Sequence, residues 1–94
     1  MASKRFESVW DAICDTPEEA ENMKLRSELM STIREFVKAK QMDTKTIQAV
    51  LGLTQPRVSY LMTGKIEKFS LDALVLMASR AGMHVSIEAC EVAA

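Results

Sequence analysis

LGLTQPRVSYLMTGK, residues 51–65, places Pro56 two residues after Thr54 and ends on Gly64 and Lys65. Threonine is a favoured helix N-cap, and proline is tolerated in the first turn because the first amides of a helix have no intrahelical acceptor. The stretch therefore predicts a short helix that starts after Thr54 and is broken by Gly64, with Val58 and Leu61 turned inward. Gln55, Arg57, Ser59 and Tyr60 stud the same helix. Polar residues on one side of a core helix are ordinarily solvated cover. Set this closely on a short, rigid, doubly bracketed helix, they point to contact with a partner.

Outward from this stretch the chain is punctuated by further caps. Upstream, Asp43 is placed to cap a helix running to Leu51, with Ile47, Val50 and Leu51 inward, Gly52 ending it in a left-handed conformation and Leu53 plugging the gap. Before that, Thr16, Pro17 and Glu19 form a capping-box start, and Leu25, Leu29, Ile33, Phe36 and Val37 give one apolar stripe. Glu18, Glu19 and Glu21 suit the positive end of that helix dipole, Lys38 and Lys40 the other. Its methionines read as gap-filling core. Downstream, Ser70 caps a helix with Leu71, Leu74, Val75, Ala78 and Ala81 as its buried stripe, closed by Gly82.

After Gly82 the period changes. MHVSIEA alternates, with Met83, Val85 and Ile87 on one side and His84, Ser86 and Glu88 on the other, which reads as a strand. The chain offers no convincing second strand, so pairing with the same strand of another copy is the expected arrangement, a homodimer through Met83, Val85 and Ile87. At the other end, Phe6, Val9, Trp10 and Ile13 are spaced as one face of a short helix. They either pack on their own domain or, through Phe6, Val9 and Trp10, serve as an apolar peg for a partner protein. The expected organisation is an N-terminal segment at 1–15, a helical domain at 16–82 and a C-terminal strand and tail at 83–94.

A helix, a glycine turn and a second capped helix, with apolar plugs at Ile47, Leu51, Leu53, Val58 and Leu61, make a helix-turn-helix. In this motif the N-terminal half of the second helix enters the major groove of DNA. Gln55, Ser59 and Tyr60, with Thr54 and Thr63 at the ends, are hydrogen-bonding types able to read base edges, and Gln can bond adenine bidentately. Pro56 supplies rigidity and a close backbone approach to phosphate. Arg57, Lys45, Lys65 and Lys68 are the expected phosphate contacts, which set register without reading sequence.

LGLTQPRVSYLMTGK followed by FSLDALVLMASRAG resembles the XRE-type helix-turn-helix proteins, and within them the small subgroup related to HigA antitoxins. The resemblance covers about residues 16–88, with the run Thr54 to Ser59 its most specific part. It implies a mainly α, lambda-repressor-like helix-turn-helix bundle of about five helices, closed by a short dimerising β-strand, that binds palindromic operators as a transcriptional repressor. For the antitoxin members it also implies neutralisation of a HigB-like ribonuclease toxin and autoregulation of the operon. The alternative is a stand-alone phage or chromosomal repressor with no toxin partner.

Composition bounds these readings. With 94 residues, 48% apolar, 27% charged, three Gly and two Pro, one helical domain is expected. Aromatics are 5% of the chain, which argues against an RNA-stacking surface. The formal charge is −1, but unevenly spread: residues 34–68 hold seven basic and three acidic groups, a local +4. No apolar run approaches the roughly 20 residues of a membrane span, and Cys14 and Cys90 lack metal-ligand spacing or an export signal before them, so the expected location is cytoplasmic. An enzyme is not expected, nor a cofactor or metal. The one histidine, His84, reads as a solvated strand residue, and the Glu18, Glu19 and Glu21 cluster as a solvated helix start.

Overall fold

Side-chain caps fix the element boundaries. The computed structural model describes residues 16–91, in which four helices follow one another: α1 (Pro17–Ala39), α2 (Thr44–Leu51), α3 (Gln55–Met62) and α4 (Leu71–Arg80), with a 3-10 turn at Ile66–Lys68 before α4. Thr16 Oγ1 accepts from the Glu19 amide at 3.1 Å, Asp43 Oδ1 from the Thr46 amide at 2.8 Å and Ser70 Oγ from the Ala73 amide at 3.1 Å. Three of the four expected starts are thus secured by the residue the sequence offers. Hydrogen bonding from Thr46, side chain first and backbone second, holds the Asp43 carboxyl below its ordinary range.

Three of the four helix ends, those of α1, α3 and α4, follow one pattern. At the end of α3 the Lys65 amide donates to the Tyr60 carbonyl and the Gly64 amide to that of Leu61; at the end of α4 Met83 and Gly82 do the same toward Ala78 and Ser79. This is the Schellman closure, which needs one residue at positive φ. Gly64 and Gly82 supply it at φ 75° and 87°. The end of α1 repeats the pattern, with Met42 to Val37 and Gln41 to Lys38, but here the positive φ of 52° falls on Gln41.

One core joins the helices. Ile33, Val37, Ile47, Leu51, Val58, Leu61, Ile66, Phe69, Leu74, Met77 and Ala78 are buried together with Met30. α1 lies along α4 and touches α3 and the 3-10 turn. The phase of two stripes differs from the sequence expectation. On α1, Leu25, Leu29 and Phe36 are half-buried while Met30 is buried, and on α4 Leu71, Val75 and Ala81 are half-buried while Met77 is buried. Apolar residues outnumber the width of one stripe on both helices, so packing rather than periodicity chooses which go deepest, and unbranched methionine fills the centre.

The C-terminal segment departs further. No β-strand forms among the described residues, because a strand requires a ladder partner and a single chain supplies none here. Met83 and Val85 instead pack against the core, while His84 and Ser86 are exposed and Ile87 is 55% exposed. The alternation is therefore real, but two of the three residues expected at a dimer interface spend their apolar surface on their own domain. Phe6, Val9, Trp10 and Ile13 lie outside the described residues. No described helix is long and apolar enough to cross a membrane.

Gln41 is exposed and in a conformation that costs an L-residue about 1–2 kcal/mol, part of which glycine returns as unfolded-state entropy. Gln41→Gly is expected to stabilise the fold by about 1 kcal/mol. Urea unfolding should show a higher midpoint at an unchanged slope; an equal or lower midpoint would contradict the strain.

Candidate nucleic-acid interface

Gly52 makes the turn between α2 and α3. Its φ is 69°, its amide and that of Leu53 both donate to the Gln48 carbonyl, and a Cβ at this position would meet Arg80 Nη1 at 2.8 Å. Conformation is what selects glycine, because the crowding atom is the far end of a flexible side chain that can move aside. Ile47 and Leu51 on one side of the turn and Val58 and Leu61 on the other drop into the core, so the two helices are held at a fixed angle and α3 is pushed to the surface. α3 starts at Gln55 with Pro56 in its first turn, as expected. Thr54 stands at the N-cap position, but its side chain makes no cap hydrogen bond. That hydroxyl and the first amides of α3 therefore remain available outward.

The exposed side of α3 is a narrow row. Gln55, Pro56, Ser59 and Thr63 are exposed, and Gln55, Ser59 and Thr63 recur every fourth residue, one above the other on the helix. Eight residues of helix span about 12 Å, the width of the major groove of B-form DNA. Thr63 is constrained within this row: its Oγ1 donates to the Ser59 carbonyl at 2.8 Å. With its proton used, the hydroxyl can accept from a base amino group but has nothing to offer a phosphate oxygen.

Arg57 and Tyr60 sit beside this row. Both are half-buried on the flank of α3 that faces the 3-10 turn. The Arg57 guanidinium carbon lies 4.6 Å from the centroid of the Phe69 ring, and Lys68 Nζ lies 5.3 Å from that of Tyr60. Each such contact is worth about 0.5–1 kcal/mol at an exposed site. Lys45, on the first turn of α2, is exposed, as are Lys65 and Lys68. Among the described residues the one ion pair joins Lys24 to Glu21 at 3.5 Å on α1, so no carboxylate neutralises Lys45, Arg57, Lys65 or Lys68.

Three supporting residues carry no signal in a reading of local sequence. Arg34 on α1 donates from Nη2 to the Met62 carbonyl at 3.0 Å, capping the C-terminal end of α3. Arg26, held by Asn22 at 2.7 Å, donates to the Phe69 carbonyl at 3.0 Å. Phe69 itself is among the largest fully buried side chains. Positively charged residues at i and i+8 of α1 could have suggested a common face, but their acceptors lie 28 and 43 residues away in sequence.

Away from this face, a groove of about 260 Å³ runs between α1, α4 and the C-terminal segment, lined by Leu25, Leu29, Leu71, Met83, Val85 and Ile87 among others. Its lining is mainly apolar. No group of His, Cys, Asp or Glu that could hold a metal ion occurs among the described residues.

The arrangement, a glycine-turned helix pair presenting a polar helix beside unneutralised cations, suits a DNA groove and its phosphates. No curated protein and no solved structure matches the chain. The model of the helix-turn-helix domain family matches residues 12–90, from before the first described helix to the end of the C-terminal segment. The chain belongs to the helix-turn-helix domain family.

Proposed function

We propose that this protein is a sequence-specific regulator of transcription that binds double-stranded DNA and represses from a palindromic operator. The observation that carries this reading is the exposed row Gln55, Ser59 and Thr63 along α3, beside cations that have no carboxylate partner among the described residues. The row supplies hydrogen-bonding groups for base edges; Lys45, Lys65 and Lys68, with Thr54 at the helix start, supply backbone contacts. The protein acts by binding and carries out no chemistry.

A palindromic operator requires two copies of α3. The alternating segment Met83 to Ile87 supports a second copy joined there: among the described residues no main-chain hydrogen bond engages residues 84–91, and Ile87 is exposed. Two such edges can pair antiparallel, with Met83 and Val85 keeping their places on each core.

The narrower reading is that of an antitoxin that regulates its own operon and binds a HigB-like ribonuclease toxin, supported by the resemblance of residues 51–65 and 69–82. Under the alternative, a stand-alone repressor, no toxin is bound.

Gln55→Ala should lower affinity for a duplex selected by the wild-type protein from randomised oligonucleotides, by about 1–3 kcal/mol, while leaving affinity for a scrambled duplex unchanged. Equal losses on both would refute base reading by Gln55. Ile87→Glu should halve the sedimenting mass while the circular-dichroism spectrum keeps its helical form, since the side chain is exposed in the single chain; an unchanged mass rules out pairing through this segment. Expression of the chain with any small ribonuclease found encoded beside its gene should yield a stable complex if it is an antitoxin. Separate elution of the two proteins assigns the stand-alone role.

A further inference from the structure

Two cation–π contacts tie α3 to the 3-10 turn, and they are reciprocal: a cation of α3, Arg57, sits on a ring of the turn exit, Phe69, and a cation of the turn, Lys68, sits on a ring of α3, Tyr60. Neither cation has a carboxylate partner among the described residues, so each ring is the main fixed group beside its charge. Phe69 is in turn fixed twice over, by burial and by the hydrogen bond from Arg26 to its carbonyl.

We propose that Tyr60 and Phe69 are positioning residues for DNA binding: ring platforms that hold Lys68 and Arg57 in place for phosphates on the flank of α3, with Tyr60 acting through its ring and not as a reader of base edges. This rests on the DNA-binding reading above and assigns the roles within it. Tyr60 is half-buried, outside the exposed row of Gln55, Ser59 and Thr63, and one face of its ring carries the Lys68 ammonium 5.3 Å from the centroid. A long lysine side chain loses rotamer freedom when it clamps a phosphate, and a platform that restricts it beforehand reduces that cost on binding. The same logic applies to Arg57, whose planar guanidinium keeps its edge N–H groups free when its face is against a ring.

The test separates ring from hydroxyl. Binding is measured over a range of salt concentrations to the duplex selected by the wild-type protein and to a scrambled one. Tyr60→Leu should weaken both about two- to fivefold, and Tyr60→Phe should restore what leucine loses. Lys68→Ala should lower the salt slope by about one, and adding Tyr60→Leu to it should cost little more, because the platform has no cargo left. A loss of sequence discrimination in Tyr60→Phe, or fully additive effects of Tyr60→Leu and Lys68→Ala, overturns the proposal. A measurement on the free wild-type protein stands beside these, independent of whether the leucine variant folds. Ring currents should move the Lys68 ε-methylene and Arg57 δ-methylene proton resonances upfield, and random-coil positions overturn the proposal. Upfield resonances in a protein that binds neither duplex would instead remove the DNA-binding reading, and the phosphate-positioning role with it.

Discussion

An eight-residue helix is not stable alone in water, so α3 exists only because the rest of the domain holds it. Val58 and Leu61 are its anchors, buried in the same core as Ile33, Leu51 and Leu74, and Leu61 has no exposed surface. Truncating such a residue to alanine typically costs about 2–5 kcal/mol, a large share of the about 5–15 kcal/mol that keeps a domain folded. The polar outward row is thus mechanically dependent on two apolar residues that never touch a partner. Arg34 adds a hydrogen bond to the Met62 carbonyl at the far end, and Asp43 and Gly52 fix the helix before it. Each of these supports acts on the orientation of α3 without appearing on its exposed face.

Much of this frame is legible in the sequence because its signals are local. A cap works over three residues and a glycine turn over one, so Thr16, Asp43, Ser70 and Gly52 declare the helix ends without knowledge of the fold. Thr54 marks its boundary correctly yet leaves its side chain unbonded. The depth of burial along α1 and α4 is not legible to the same degree. Leu25 and Leu29 look as apolar as Ile33, but which of them faces α4 and which lines the groove depends on how two helices cross. Gln41 shows the opposite failure: the chain closes α1 with a backbone pattern that normally announces itself as glycine, and no residue type warns of it.

The site divides along the same line. The exposed positions Gln55, Pro56, Ser59 and Thr63 follow from helical period alone, since Val58 and Leu61 dictate which side is buried. The partners of Arg57 and Tyr60 do not, because a ring and a cation find each other through the tertiary path of the turn at Ile66–Lys68. Residue type suggested one shared role for Tyr60 and Gln55; in the fold Gln55 is exposed while Tyr60 is half-buried on the flank of the same helix. The C-terminal alternation is a mixed case, in which period 2 is present in the burial of Met83 and Val85 while the ladder that would make it a strand needs a chain from outside.

Charge distribution completes the connection between fold and function. The whole chain carries −1, a value that would repel a polyanion weakly if charges were averaged over the surface. They are not averaged: salt screens interactions beyond about 8–10 Å, so a phosphate at α3 responds first to the groups beside it, Arg57, Lys65 and Lys68 with the single Glu67, rather than to a sum over the chain that includes Glu18, Glu19 and Glu21 at the start of α1. Those glutamates are useful where they stand, at the positive end of the α1 dipole. The fold thus permits an acidic protein to present a basic face, with several of its carboxylates at a helix start and no ion pair to the cations beside α3 among the described residues. An unpaired cation on a surface contributes little to folding stability. Its value lies in the counterions that it displaces from a nucleic acid, a term that grows with each phosphate engaged and is largest when the cation is already in position.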